Sequence, residues 1–209
     1  SPSKNKFALI FTDITDQENL KIQLKKEKEI VEELATHDYL TKLPNRALLK
    51  DRIENSILIA ARNKSSIAIC MIDMDGFKQI NDNYGHLIGD IVLKAVSERT
   101  KGAIRNFDTL SRFGGDEFVC VLTNFESKEE CQLIVERILK VNQQAIIIDD
   151  IEISPTFSIG ISLYPEDGLT YNDLLKNADY ALYDAKNYGK NRFCFYNKFC
   201  SVISNTEKI

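Results

Sequence analysis

Two short acidic stretches carry the residue types that chemistry on a phosphate requires. In Leu110–Leu122 two apolar runs are joined by Gly114-Gly115-Asp116-Glu117, and in Ser66–Lys78 a near-continuous apolar run ends in Asp73-Met74-Asp75-Gly76. Glycine supplies the positive φ of a tight hairpin turn and lets a ligand approach the backbone, so the first stretch predicts a β-hairpin with Asp116 and Glu117 at its tip. The second predicts a strand buried on both faces, in the sheet centre, with carboxylates at its mouth. An acidic turn taken alone reads as a solvated tip. If the two strands are neighbours, however, Asp73 and Asp116 converge into the paired carboxylates that hold Mg²⁺ on a nucleotide phosphate.

Elements on either side must position these groups. Phe7–Thr12 has strand composition, and Thr15 and Glu18 have the spacing of a capping box at the start of a helix. From Gln17 to Thr36 the chain is charge-rich, with Leu20, Leu24, Val31 and Leu34 and a polar Glu27 on one a/d seam. This pattern suits a short parallel coiled coil or a lone amphipathic helix. Asp38–Arg46 is turn-like, and Pro44-Asn45 opens a helix over 46–62. A short helix over 77–83, a turn at Tyr84-Gly85-His86 and a helix over 88–104, with Ile91, Val92, Ala95 and Val96 as its apolar face, lead to the hairpin. Beyond it come a helix over 127–143, strands over 145–148 and 156–163, and a helix over 171–187 with a stripe of Leu174, Ala178, Ala181 and Ala185. A last strand over 192–196 closes the domain. The order predicts an α/β fold, a mixed five-stranded central sheet surrounded by helices. Residues 198–209 are polar and show no element.

Composition sets outer bounds. With 209 residues, 44% hydrophobic and 28% charged, the chain suits one sizeable domain with extensions. A net charge of −4 argues against a nucleic-acid polymer as ligand, because neutralising many phosphates takes a basic face. No apolar run approaches the roughly 18 residues of a membrane span, and no signal-peptide pattern is present. The expectation is a cytoplasmic segment without membrane contact of its own, in a protein open to anchoring upstream. Five unevenly spaced cysteines, Cys70, Cys120, Cys131, Cys194 and Cys200, read as reduced core residues.

Four ordered blocks resemble the GGDEF domain, the diguanylate cyclase family. They are the signature Gly114-Gly115-Asp116-Glu117-Phe118, the block Asp38-Tyr39-Leu40-Thr41-Lys42-Leu43-Pro44-Asn45-Arg46, the stretch Asp73 to Asp82 with Asn81-Asp82, and Ala185-Lys186-Asn187-Tyr188-Gly189-Lys190-Asn191. The resemblance implies a palm-like nucleotide cyclase architecture over residues 38–197. Residues 1–16 resemble the terminal strand of a truncated PAS-like sensor domain, 17–37 a signalling linker helix, and 198–209 a tail or a linker to a further domain, often an EAL phosphodiesterase in this family.

It also implies roles. Asp73, Asp116 and Glu117 are the catalytic carboxylates; Asp73, the Met74 carbonyl and Asp116 hold Mg²⁺, two ions per site, with Mn²⁺ as a substitute. Glu117 either accepts the ribose 3′-hydroxyl proton or binds the second ion. Asn81 and Asp90 correspond to guanine readers, since an amide donates and accepts while a carboxylate accepts from N1–H and the 2-amino group; their plain alternatives are a helix C-cap and an N-cap. His86 lines the same pocket or is a turn residue. Phe77 and Lys78 head a helix whose free N–H groups cradle phosphate. Lys186 and Lys190 reach the triphosphate, though Lys186 also complements a helix C-terminus, and Lys190 stands where the family usually has an arginine fork. Arg105, Asp108 and Arg137 match a product-inhibition site, or else Arg105 and Asp108 form a helix-end ion pair. Asp38 and Arg46 read as a structural pair. The implied activity is condensation of two GTP into cyclic di-GMP, with release of two pyrophosphates, in a homodimer inhibited by its product. The alternative is a silent GTP-binding module or a cyclic di-GMP receptor.

Overall fold

The strand expected at the sheet centre is β1, Ile67–Asp75. It pairs antiparallel with β3, Glu117–Thr123, on one side and with β6, Thr156–Tyr164, on the other. The computed structural model describes residues 15–196 and 199–202. With β2, Thr109–Gly114, β7, Arg192–Phe195, and β8, Phe199–Val202, the sheet order is β2-β3-β1-β6-β7-β8. The β6–β7 pairing is parallel and the others are antiparallel, so the sheet is mixed. Five of these strands are the expected sheet. The sixth, β8, lies in the stretch expected to lack structure; it gains regular pairing from the β7 edge rather than from apolar alternation of its own. A separate ribbon of β4, Ile146–Ile148, and β5, Ile151–Ile153, adds a second strand that three residues are too short to announce.

Alternation along β1 sorts the core into two layers. Ala68, Cys70, Ile72 and Met74 pack with Val92 and Val96 of α4, His86–Ala103, and with Ile134 and Ile138 of α5, Lys128–Asn142. Ile67, Ile69 and Met71 pack on the opposite face with Leu49 and Ile53 of α2, Arg46–Asn63, and Leu174, Ala178 and Leu182 of α6, Tyr171–Asn187. Successive strand residues face opposite sides, so Asp73 and Asp75 continue the α2/α6 side beyond the apolar run. Helix α6 lies directly on β6: a Cβ at Gly160 would come within 2.0 Å of the Ala178 carbonyl oxygen.

Helix α3, Phe77–Tyr84, and α4 are separated by Gly85 alone, at φ 85 and ψ 161. The long helix therefore starts at His86, two residues before the expected position, because one extended glycine suffices to end one helix and open the next. The chain divides into two units, one ending at Ala35 and one beginning at Thr36. The first contains α1, Thr15–Thr36, whose Leu20, Leu24, Val31 and Leu34 are all more than half exposed. The strand expected over 7–12 lies outside the described residues. Cys70, Cys120 and Cys131 are buried free thiols, but Cys194 is disulfide-bonded, which corrects the expectation of five reduced cysteines. In the β7–β8 register Cys194 stands opposite Cys200. Among the described residues no helix is long and apolar enough to cross a membrane.

Candidate active site

The acidic stretches meet at one rim of the sheet. Asp73 stands opposite Glu117 in the β1–β3 register, and the Asp116 carbonyl accepts a hydrogen bond from the Met74 N–H at 3.4 Å. Gly115 turns the hairpin in the left-handed region at φ 52, where glycine alone is unstrained. The ladder shifts register between Arg112 and Gly114, which re-aims the tip. Lys186, near the end of α6, places its Nζ 2.8 Å from Asp73 Oδ2. Burial raises the Asp73 pKa, the Lys186 ammonium opposes the rise, and Asp116 and Asp75 add to it. Burial raises that of Glu117 too, reinforced by Asp73 and Asp116. Carboxylates that repel one another beside a lysine have the chemistry of donors to a hard divalent cation, though among the described residues no three His, Cys, Asp or Glu side chains are gathered closely enough to hold one without donors from a ligand or the backbone.

The hairpin is braced from outside. Asp38 accepts from the backbone and hydroxyl of Thr41 and from Arg112, whose Nη1 lies 3.0 Å from Asp38 Oδ1. The rest of the Arg112 fork donates to the Gly115 carbonyl through Nε and Nη2 at 3.0 and 2.8 Å. Burial works against the Asp38 charge, yet the Thr41 and Arg112 contacts outweigh it and hold the carboxyl below its usual range. The Asp38 partner is thus Arg112, not Arg46; the Arg46 guanidinium instead lies 4.5 Å from the centroid of the Phe113 ring. Pairing follows the fold here rather than proximity along the chain.

The predicted base-reading residues sit on α3 and α4. Asn81 is inside α3 and Asp90 is the fifth residue of α4, so neither caps a helix. Asn81 Oδ1 is buried and has no hydrogen-bond partner. It is packed so close to Gly89 that a Cβ there would lie 2.0 Å from it and 3.2 Å from Phe77 Cζ. His86 and Lys78 are exposed on their helices, and Lys190 is exposed in the turn after α6 at φ 60.

Arg105 and Asp108 do not form the helix-end ion pair between their side chains. Asp108 is buried, and its two oxygens accept the backbone N–H groups of Arg105 and Thr123 at 3.0 and 3.1 Å. The Arg105 guanidinium is ion-paired with Glu130 on α5, and Arg137 Nε donates to the Ala103 carbonyl at 2.6 Å. Beside them a cavity of about 250 Å³ is lined by His37, Lys42, Arg52, Lys101 and Arg105 against Asp108. Glu130, Arg112 and Asp75 were not among the expected site residues. Ser127-x-x-Glu130 has the spacing of a capping box, and its Ser127 Oγ does accept the Glu130 N–H; that spacing gave no hint of Arg105.

A rim of carboxylates beside a lysine thus stands on a mixed α/β sheet, flanked by a helix pair in which the Asn81 amide oxygen is buried and unpaired. The family described as diguanylate cyclase, GGDEF domain, matches residues 35–192, and the chain belongs to that family. It is 45% identical over 169 residues to the bifunctional diguanylate cyclase/cyclic di-GMP phosphodiesterase MucR of Pseudomonas aeruginosa, covering 81% of this chain and 24% of MucR. Across that and other curated relatives the chain spans 21–44% of their length. The solved GGDEF domain of TpbB (YfiN) from P. aeruginosa superposes with a TM-score of 0.75 at 37% identity, covering 77% of this chain and 94% of that one. The coiled coil and GGDEF domain of DgcB from Caulobacter crescentus, in complex with c-di-GMP, gives 0.77 at 26% identity, covering 87% and 96%.

Proposed function

We propose that this chain is a diguanylate cyclase that joins two GTP molecules into cyclic di-GMP and releases two pyrophosphates. The observation that carries the proposal is the convergence of Asp73, Asp116 and Glu117, with Lys186 beside them, on an intact Gly-Gly-Asp-Glu-Phe hairpin. Asp73, Asp116 and the Met74 carbonyl would hold Mg²⁺, or Mn²⁺ in its place, two ions per site, with Glu117 at the second ion or at the 3′-hydroxyl. When bound, such ions neutralise phosphate charge and stabilise attacking and leaving oxygens.

The protein supplies the rest by positioning. Asn81 and Asp90 orient guanine, and the unpaired Asn81 Oδ1 is an acceptor with a purine donor as its natural complement. Lys186 and Lys190, with Lys78 and the start of α3 at Phe77, meet the triphosphate, and His86 lies at the pocket rim. Each domain holds one GTP, whose 3′-hydroxyl attacks the α-phosphorus of the other as pyrophosphate leaves; catalysis is mostly alignment and electrostatics. The homodimer is therefore the enzyme, aligned through the α1 seam. Cyclic di-GMP, which the DgcB structure contains, feeds back at Arg105, Asp108 and Arg137, and the neighbouring cationic cavity suits its phosphates.

The second reading is a regulatory GTP-binding module, favoured by the two activities in the name of MucR and the 24% of it that this chain spans. Incubation with GTP and Mg²⁺, with products resolved by chromatography, tests both. Cyclic di-GMP is the expected product; GTP bound but unconverted selects the module, and binding of cyclic di-GMP alone selects a receptor.

A further inference from the structure

Asp75 ends β1 two residues after Asp73, on the same side of the sheet, yet it is turned away from the metal-type cluster and fully engaged elsewhere. Its Oδ1 accepts from Ser158 Oγ at 2.7 Å; its Oδ2 accepts from Thr156 Oγ1 at 2.9 Å and from the backbone N–H of Asn191 at 3.1 Å. Two donors come from β6 and the third from the turn between α6 and β7. That turn is a run of three left-handed residues, Gly189 at φ 111, Lys190 at φ 60 and Asn191 at φ 48. Left-handed backbone is costly for residues with a Cβ, so two successive ones persist only where neighbours hold them. The holders are the hydrogen bonds from Gly189 N–H to the Lys186 carbonyl at 3.3 Å, Lys190 N–H to the Ala185 carbonyl at 3.1 Å, Arg192 Nε to the Lys190 carbonyl at 3.0 Å, Gln143 Nε2 to Asn191 Oδ1 at 3.1 Å, and Asn191 N–H to Asp75, which ties the turn to the end of β1.

We infer that Asp75 is a positioning residue for nucleotide phosphate: its carboxylate pins the Gly189–Asn191 turn to the sheet edge and so fixes where Lys190 presents its ammonium. The inference rests on the reading of Lys190 as a triphosphate contact. It follows from donor chemistry. The carboxylate accepts all three hydrogen bonds, whereas an alanine accepts none. The hydroxyls of Thr156 and Ser158 can rotate to other acceptors; the Asn191 N–H cannot.

The test uses the chain with Asp75→Ala, Gln143→Ala and Lys190→Ala, reading affinity for a non-hydrolysable GTP analogue, turnover, melting temperature and amide exchange at 189–191. Lys190→Ala is expected to weaken analogue binding about tenfold, the scale of one lost charge contact. Asp75→Ala is expected to raise KM and weaken the analogue by a similar factor, about tenfold, with kcat within about threefold, and to speed exchange at Gly189–Asn191 selectively. Gln143→Ala, which leaves the carboxylate in place, moves both readouts the same way by less. Wild-type affinity in Asp75→Ala beside a weakened Lys190→Ala overturns the inference alone. An unaffected Lys190→Ala overturns the phosphate reading and the inference with it. Exchange that rises evenly over β1 and β6 makes Asp75 merely structural and also overturns it.

Discussion

Glu117 faces Asp73 across the ladder and sits next to Asp116, and its pKa is raised by burial and then by these neighbours. A carboxyl whose folded pKa exceeds its unfolded value favours folding when protonated, and that advantage is lost as pH rises through the folded pKa. Glu117→Gln should therefore melt higher than the parent at pH 7, with the difference closing as pH falls below the ordinary glutamate pKa of about 4.3; scanning calorimetry across that range in the absence of divalent ions checks it. Asp116→Asn should lower turnover by about a thousandfold or more with an unchanged circular dichroism spectrum. Gly89→Ala drives a methyl into Asn81 Oδ1, and guanine-nucleotide affinity is expected to fall about tenfold or more, read by calorimetric titration. That the Asp73 and Asp116 stretches meet was legible in the sequence because each stands in a short local motif at the end of an apolar run. Asp75, Arg112 and Glu130 were not, because their partners lie 81, 83 and 116, 74, and 25 positions away. Hydrogen-bonding capacity is written in a residue type; the choice of partner is made by the fold.

Among the elements, α6 sets the position of Lys186, and β6 sets the position of α6. Gly160 is the contact point: a methyl there meets the Ala178 carbonyl and the Leu182 nitrogen, which are backbone and cannot rotate aside. Gly160→Ala should cost about 2 kcal/mol or more and weaken nucleotide binding as Lys186 shifts, measured by urea unfolding and titration. The apolar run of β1 and the 3.6-residue stripe of α6 announced themselves, since burial on two faces and on one face leave different periods. The start of α4 was misplaced by two residues because Gly85 does in one position what a turn usually does in three. The strands β5 and β8 escaped because pairing with a neighbour, rather than any pattern of their own, makes them regular.

At the scale of the whole molecule, the proposed reaction needs two domains face to face, and the proposed pairing surface is the exposed Leu20, Leu24, Val31 and Leu34 seam of α1. Leu24→Lys together with Leu34→Lys should leave GTP-analogue binding intact but lower turnover, with specific activity rising steeply with protein concentration; light scattering alongside the assay reports the association state. Breaking the Asp38–Arg112 bridge by Arg112→Ala should cost about 3 kcal/mol, as expected for a mostly buried pair left with one charge, and lower activity beyond what the fraction unfolded explains. That bridge joins the second residue after α1 to the arginine that also grips the Gly115 carbonyl. A displacement of Asp38 is therefore handed to the glycine elbow by one arginine, with no side chain of either apolar layer taking part in the relay.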